Sequence, residues 1–293
     1  MTILENDQLR VTIRPQGAEL TSLYHKPTQT EHLWQADPAV WGWHAPNLFP
    51  VVGACLNDEL LIHGQAYPMP RHGFARHSEF TVKKADETQA VFVLHSNEQT
   101  RAAYPYEFEF RIGYYLDKAT LTIAYQLFND SDEALYFSVG GHPAFRVPFR
   151  EGEVYEDYFL EFQKDEPLER HLLSAKGFFT GDTESVLTAD RHLPLTEDLF
   201  DRDALVFKNL ESRRVTIRSR HHDHRLAVGF TAFPYLGLWA KPGAPFVCIE
   251  PWLGCADRQG TPQPIEQKEG IQRVDAHGQF EAGFTIGIES GAA

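Results

Sequence analysis

Hydrophobic positions along the chain recur with a period of two. Phe108, Phe110, Ile112 and Tyr114 alternate with Glu107, Glu109, Arg111 and Gly113. After Asp117-Lys118, Leu121, Ile123, Tyr125 and Leu127 alternate with Thr120, Thr122, Ala124 and Gln126. Successive side chains on a strand point to opposite faces, so each run reads as a half-buried strand and the two together as a hairpin. The same pattern recurs in shorter form at Leu9, Val11 and Ile13; Val91 and Val93; Val215 and Ile217; Leu226, Val228 and Phe230; and Phe284, Ile286 and Ile288. Turn signals such as His63-Gly64, Asn129-Asp130-Ser131 and Lys241-Pro242-Gly243 separate the runs. Helical pattern is scarce. Asp37-Pro38-Ala39-Val40-Trp41 could open a short helix with Asp as N-cap and Pro at the first position, and Leu195 to Phe200 a further turn or two. Neither resembles a crossover helix of a parallel sheet. The pattern therefore predicts an all-β fold: a large antiparallel β-sandwich with few short helices and a concave face on which a ligand can lie. No linker composition or fixed-period repeat interrupts it, so residues 1–293 are expected to form one domain.

Composition narrows the function classes. With 13% aromatic and 23% charged residues a packed core is expected. The net charge of −14 opposes phosphate backbones and anionic lipid surfaces, so neither a nucleic-acid partner nor a membrane role is expected. No apolar run approaches the ~20 residues that span a bilayer. Met1 to Asp7 has neither a basic region nor a long apolar segment, which points to a cytoplasmic protein without a signal peptide. Cys55, Cys248 and Cys255 are an odd number in a chain large enough to need no disulfide framework, and are expected as buried or half-buried thiols.

Several polar groups stand in apolar surroundings. In Phe137-Ser138-Val139-Gly140-Gly141-His142-Pro143 an imidazole follows paired glycines, which let the backbone approach a ligand, and Pro143 pushes His142 toward extended geometry. An imidazole can exchange a proton near neutral pH. In Phe246-Val247-Cys248-Ile249-Glu250-Pro251-Trp252 a carboxylate ends an apolar run, where desolvation makes it a better base. Trp252, Trp239, Trp41 and Trp43 offer flat apolar area for a sugar face. Met69-Pro70-Arg71-His72-Gly73-Phe74-Ala75-Arg76 gathers two guanidinium groups and an imidazole on an acidic protein, which suits an anionic or hydroxyl-rich ligand. Upstream, Asn47 places an amide before an apolar strand. His221-His222-Asp223-His224 has metal-ligand residues but no second cluster at suitable spacing, so it reads as a solvated hairpin turn, and no metal site is expected. The sequence has no dinucleotide or P-loop glycine pattern and no Gly-x-Ser-x-Gly elbow.

Taken in order, Asn-Leu-Phe-Pro-Val-Val-Gly (47–53), His-Gly-Phe-Ala-Arg (72–76), Gly-Gly-His-Pro-Ala-Phe (140–145) and Cys-Ile-Glu-Pro-Trp (248–252) resemble the aldose 1-epimerase (mutarotase) family, in particular its bacterial branch associated with lactose operons. The resemblance runs over nearly the whole chain. It implies a large antiparallel β-sandwich that interconverts the anomers of a free sugar without a cofactor. By motif, Glu250 takes the role of base on the anomeric hydroxyl and His142 that of acid on the ring oxygen. His72 matches the substrate-holding second histidine, and Asp203, before Ala204-Leu205-Val206-Phe207, matches a substrate-binding aspartate. Arg71, Arg76, Asn47 and Trp252 complete the expected substrate contacts. Sugar-phosphate members of the wider family carry an arginine after the glycine corresponding to Gly53, where this chain has Ala54 and Cys55. That disfavours a hexose-6-phosphate substrate, although Arg71 and Arg76 could clamp a phosphate. A non-catalytic carbohydrate-binding protein on the same scaffold is the alternative from another class. A glycosidase would need two carboxylates at the bond, and only Glu250 stands in a motif.

Overall fold

The computed structural model describes residues 1–186, 188 and 190–289. Among these residues, two large antiparallel sheets face each other. In the interior of the first, nine-stranded sheet is the expected hairpin, Phe108–Asp117 and Thr120–Asn129, paired from Phe108 opposite Asn129 to Asp117 opposite Thr120. Lys118 takes a left-handed φ of 51° to close its turn. Gln279–Glu289 and Gln89–His95 flank the hairpin on either side. The second sheet runs in the order Phe179–Val186, Leu168–Leu173, Leu205–Phe207, Tyr235–Trp239, Phe246–Leu253, Val139–Gly141, Asn47–Leu48, with Ala144–Arg146 also paired to Phe246–Leu253. A smaller sheet of Thr2–Glu5, Leu9–Arg14, Glu19–His25 and Thr30–Glu31 adjoins them.

Inward-facing aromatics join the two sheets. Phe49 stacks on Phe110 with ring centroids 4.3 Å apart, and Phe162 meets Phe207 edge-on at 6.0 Å. Full burial of each such side chain contributes about 1.5–3 kcal/mol. One apolar cluster extends from Leu4 to Ile288, and the three cysteines are buried free thiols. The architecture is the expected large antiparallel β-sandwich.

Three local expectations are corrected. The segment at Asp37 makes only a capped turn: the Asp37 carbonyl accepts from Val40 and Trp41 N–H, its carboxylate accepts from Ala39 N–H, and the chain then departs. Leu195 to Phe200 likewise makes turns, and the one α-helix among the described residues is Glu98–Arg101, closed by a reciprocal Asn97–Thr100 cap. On Gln89–His95 the alternating core positions are Ala90, Phe92 and Leu94; Val91 is half-buried on the other face while Val93 is buried there too.

Candidate active site

The site is built around Phe246–Leu253, all eight residues of which are buried. Phe246, Val247, Cys248, Ile249 and Leu253 all belong to the large core, while the period of two aligns Cys248, Glu250 and Trp252 on one face of the strand, of which Glu250 and Trp252 reach the cavity. A second, smaller apolar cluster lies on that face, formed by Leu48, Val52, Phe179, Val206, Trp252 and Cys255. Gly237 stands opposite Glu250 on the neighbouring strand, and a Cβ there would come within 2.5 Å of the Trp252 ring.

On the other side the ladder is interrupted. Val139 and Gly140 pair with Leu253 and Trp252, Ala144 to Arg146 pair with Cys248 to Phe246, and His142-Pro143 lies between. Proline has no N–H for the ladder. The register on both sides of the break sets His142 across from Glu250, and the His142 backbone N–H is taken by the Pro46 carbonyl instead. A side chain at Gly140 would meet the Pro251 carbonyl at 2.7 Å, so the close approach of these strands depends on that glycine.

His142 Nε2 lies 3.2 Å from Glu250 Oε2, out of line for a hydrogen bond, and both side chains are buried. Trp41 stacks on the His142 ring at 5.0 Å and Trp239 meets it edge-on at 5.9 Å. Burial holds the Glu250 carboxyl well above the usual carboxylate range; the Trp252 indole N–H opposes this and the charge of Asp203 adds to it. Burial, with a smaller contribution from the Arg76 guanidinium, lowers the His142 imidazole to about 3. The dry cavity thus favours the neutral form of each group, and together they hold one proton near neutral pH.

His72 enters with a φ of 68°, its N–H donated to the Gly53 carbonyl. The Gly53 N–H in turn donates to His72 Nδ1 at 3.1 Å. Burial, then the charges of His142, Arg76 and Arg71, hold this imidazole well below its ordinary range. A neutral ring that accepts at Nδ1 carries its proton on Nε2, which makes His72 a hydrogen-bond donor to a ligand oxygen. Its ring stands 5.6 Å from that of His142, nearly perpendicular to it.

Seven of the eight predicted residues, Glu250, His142, His72, Arg71, Arg76, Asp203 and Trp252, line one cavity of about 230 Å³, on the scale of a single pyranose ring. Asn47 does not. Its amide donates to the Gly17 and Ala18 carbonyls and to Tyr114 Oη, and its oxygen accepts from Tyr125 Oη. It ties the strands together behind the site. Arg71 and Arg76 are anchored through backbone carbonyls, those of Lys176 and Arg71 respectively, and Trp43 lies under Arg76 at 5.3 Å rather than in the cavity. Asp203, at φ 71°, accepts from the Ala204 N–H and leaves its second oxygen free of protein partners among the described residues. Trp252 Nε1 makes no in-line hydrogen bond, although its N–H lies near enough to Glu250 to oppose the rise of that carboxyl. The sequence reading missed Leu173, Phe179 and Val206, which form an apolar wall; a hairpin and a central strand bring them from positions with no local signal of a site.

The predicted solvated turn at His221 to His224 is also corrected. His221 is exposed, but His224 is buried with Nε2 2.9 Å from Nε2 of the buried His32, and His222 lies against Glu153 at 3.3 Å. His25 of the small N-terminal sheet and His32 just after its last strand pack on His224, which no local pattern around residue 222 could indicate.

The fold and site define a large antiparallel β-sandwich with a buried carboxyl–imidazole pair at the wall of one cavity. Residues 1–267 match the family model for aldose 1-epimerase, and the chain belongs to that family. It is 36% identical over 289 residues to the plasmid-encoded protein LacX of Lactococcus lactis subsp. lactis, covering 94% of this chain and 95% of that one. Among solved structures it is similar to a galactose mutarotase related enzyme from Lactobacillus acidophilus (TM-score 0.93, 35% identity, 98% and 97% of the two chains covered). It is also similar to a galactose mutarotase-like protein from Lactobacillus casei (TM-score 0.93, 32% identity, 99% and 100% covered).

Proposed function

We propose that the protein is a cofactor-independent aldose 1-epimerase that interconverts the α and β anomers of a hexose. The observation that carries this reading is the 3.2 Å approach of His142 Nε2 to Glu250 Oε2 at the wall of a pyranose-sized cavity. Glu250 takes the proton of the anomeric hydroxyl while His142 gives one to the ring oxygen. The C1–O5 bond breaks and the open-chain aldehyde forms. Rotation about C1–C2 presents the other carbonyl face. Glu250 then returns its proton to O1, His142 recovers one from the O5 hydroxyl, and the ring closes as the other anomer. No electrons leave the sugar, and the pair ends with the proton count it began with.

Burial supports this division of labour. At the aldehyde stage Glu250 is protonated and His142 is neutral, the distribution a low-dielectric cavity favours for both groups. The cavity therefore lowers the open-chain stage relative to the ionised pair that precedes it. His72 Nε2–H, Trp252 Nε1–H and the two arginines supply donors to sugar oxygens, and Asp203 supplies an acceptor. Each positioned proton-transfer group contributes about 10²–10⁴-fold in rate. Polarimetry or NMR exchange on free glucose and galactose tests the reading. Wild type should exceed the buffer rate, and Glu250→Gln and His142→Asn should each lose at least about 100-fold with circular dichroism unchanged. Full activity in Glu250→Gln would overturn the assignment. Sugar binding without acceleration by wild type would favour a carbohydrate-binding role.

A second substrate reading, a hexose 6-phosphate, has one observation in its favour. Among the described residues neither Arg71 nor Arg76 has a carboxylate within ion-pair distance, and Arg71 also borders a neighbouring pocket with Lys176. Unneutralised guanidinium groups on an acidic protein suit an anion. Including hexose 6-phosphates in the substrate panel decides between the two.

A further inference from the structure

The epimerase mechanism uses Glu250 and His142 but gives no task to Cys248, a thiol on the same strand face two residues before Glu250. We propose that His142, Cys248 and Glu250 form a reversible site for a borderline-soft divalent cation such as Zn²⁺, and that its occupation switches the acid–base pair off. One ligand atom from each of the three lies within 4.8 Å of the others. The 3.2 Å between His142 Nε2 and Glu250 Oε2 matches the ~3.3 Å separating two ligands at ~2.0 Å from a tetrahedral zinc. Glu250 Oε2 has no hydrogen-bond partner, although its residue is only 1% exposed.

Charge favours a dication here. A lone thiolate or carboxylate is costly in a dry site, yet Zn²⁺ with one of each and a neutral imidazole is electrically neutral. Binding forms three metal–ligand bonds and releases the thiol proton and any carboxyl proton to solvent through the cavity. A thiolate selects zinc, cobalt or cadmium over magnesium and calcium, which prefer oxygen. His142 and Glu250 line the cavity, which gives the entry path and the fourth tetrahedral position, while Cys248 is fully buried and closes the site from the core side. The arrangement lacks one feature of a permanent zinc site: His142 Nδ1 has no partner to orient the ring and raise its basicity. The metal is therefore exchangeable. Bound, it occupies the carboxylate oxygen and ring nitrogen that the sugar needs, so it competes with substrate.

The binding half of this inference stands alone, and the inhibitory half rests on the proposed epimerase activity. The test uses the full-length, reduced, chelator-treated protein with Co²⁺ as the spectroscopic probe. One equivalent should produce tetrahedral cobalt bands in the visible and a thiolate-to-cobalt charge-transfer band in the near ultraviolet, both displaced by Zn²⁺. Cys248→Ala should lose the charge-transfer band and weaken cobalt affinity by about tenfold or more. Cys55→Ala and Cys255→Ala should keep both. Cys248→Val, which fills the buried site, serves as the second variant should the alanine protein unfold. In the mutarotation assay Zn²⁺ should inhibit wild type competitively with sugar and reversibly by chelator, while Cys248→Ala keeps its basal rate and loses sensitivity by about tenfold or more. No charge-transfer band in wild type, or an equal band in a folded Cys248 variant, overturns the inference whatever the activity. A Cys248-dependent band in a protein without mutarotation leaves the metal site standing and overturns the epimerase reading.

Discussion

The pH dependence of turnover provides a sharp test of the one-proton pair. Burial lowers His142 from 6.5 to about 3, a difference of about 5 kcal/mol against the charged ring at 1.36 kcal/mol per pH unit. Glu250 moves in the opposite direction, well above 4.5. The singly protonated pair is the form that carries the reaction. A second proton must charge a cavity roofed by Trp41 and Trp239, so it binds well below pH 6.5. Loss of the last proton leaves a bare anion in the same cavity, so it occurs well above pH 4.5. Both signs widen the active range, and the limits belong to the pair rather than to either residue. The expected profile of kcat/KM for mutarotation is therefore flat from about pH 5 through neutrality, with its acid limb below about pH 5. The assay is polarimetric or NMR exchange of a free hexose across pH 4–9, with the buffer-catalysed rate subtracted at each point. An acid limb centred between pH 6 and 7 would refute the reasoning, because it would mean that His142 titrates as a solvated imidazole. Nitrogen chemical shifts of His142 give an independent check: the ring should remain neutral at pH 5.

Three further outcomes follow from the same geometry. Asn47→Ala removes the amide that binds four partners behind the site, leaving buried groups unsatisfied at about 1–3 kcal/mol; thermal unfolding should fall by several degrees while KM for sugar stays within about twofold, and a raised KM with an unchanged melting temperature would place Asn47 at the substrate. The His32–His224 pair should make the protein acid-labile, because both imidazoles lie below their unfolded value, His224 at about 4 through burial and then the charges of His25 and His222. Their contribution is complete above pH 6.5 and is lost as pH falls toward 4, with His224 alone losing about 1–2 kcal/mol between pH 6.5 and 4.5 after allowing for its partial solvation; urea unfolding at both pH values reads this, and a His224→Gln protein with the same pH slope as wild type would remove the pair as the cause. Arg71→Ala should weaken binding of a hexose 6-phosphate by about tenfold or more and leave a free hexose nearly unaffected if an anion is held there; equal small effects on both ligands in isothermal titration would leave only the free sugar.

What the sequence revealed and what it concealed have physical causes. The hairpin 108–129 and the strand at 279–289 were legible because each has one face in the core and one in solvent, so polarity alternates along it. Phe246–Leu253 reads instead as a continuous apolar run. Its second face is also dry, and only the carboxylate shows that this face is a cavity floor rather than core. His142 was legible for a local reason: a proline next to it breaks the ladder, and a glycine before it admits the facing strand, so the chemistry and its backbone device share six residues. Asn47 shows the limit of the same logic. A polar residue at the head of an apolar strand signals that something binds its side chain, but not whether the partner is a ligand or the protein. Here Gly17, Ala18, Tyr114 and Tyr125 converge on it from three distant segments, and only the assembled sandwich reveals them. The histidines at 222 and 224 fail for the converse reason: their hydrophilic context implied water, and a sheet almost 200 residues earlier excludes it. A motif residue is therefore decipherable from sequence when the backbone feature that orients it is adjacent in the chain. When its partners come from other strands, sequence shows that it is buried business of some kind, and the fold decides which.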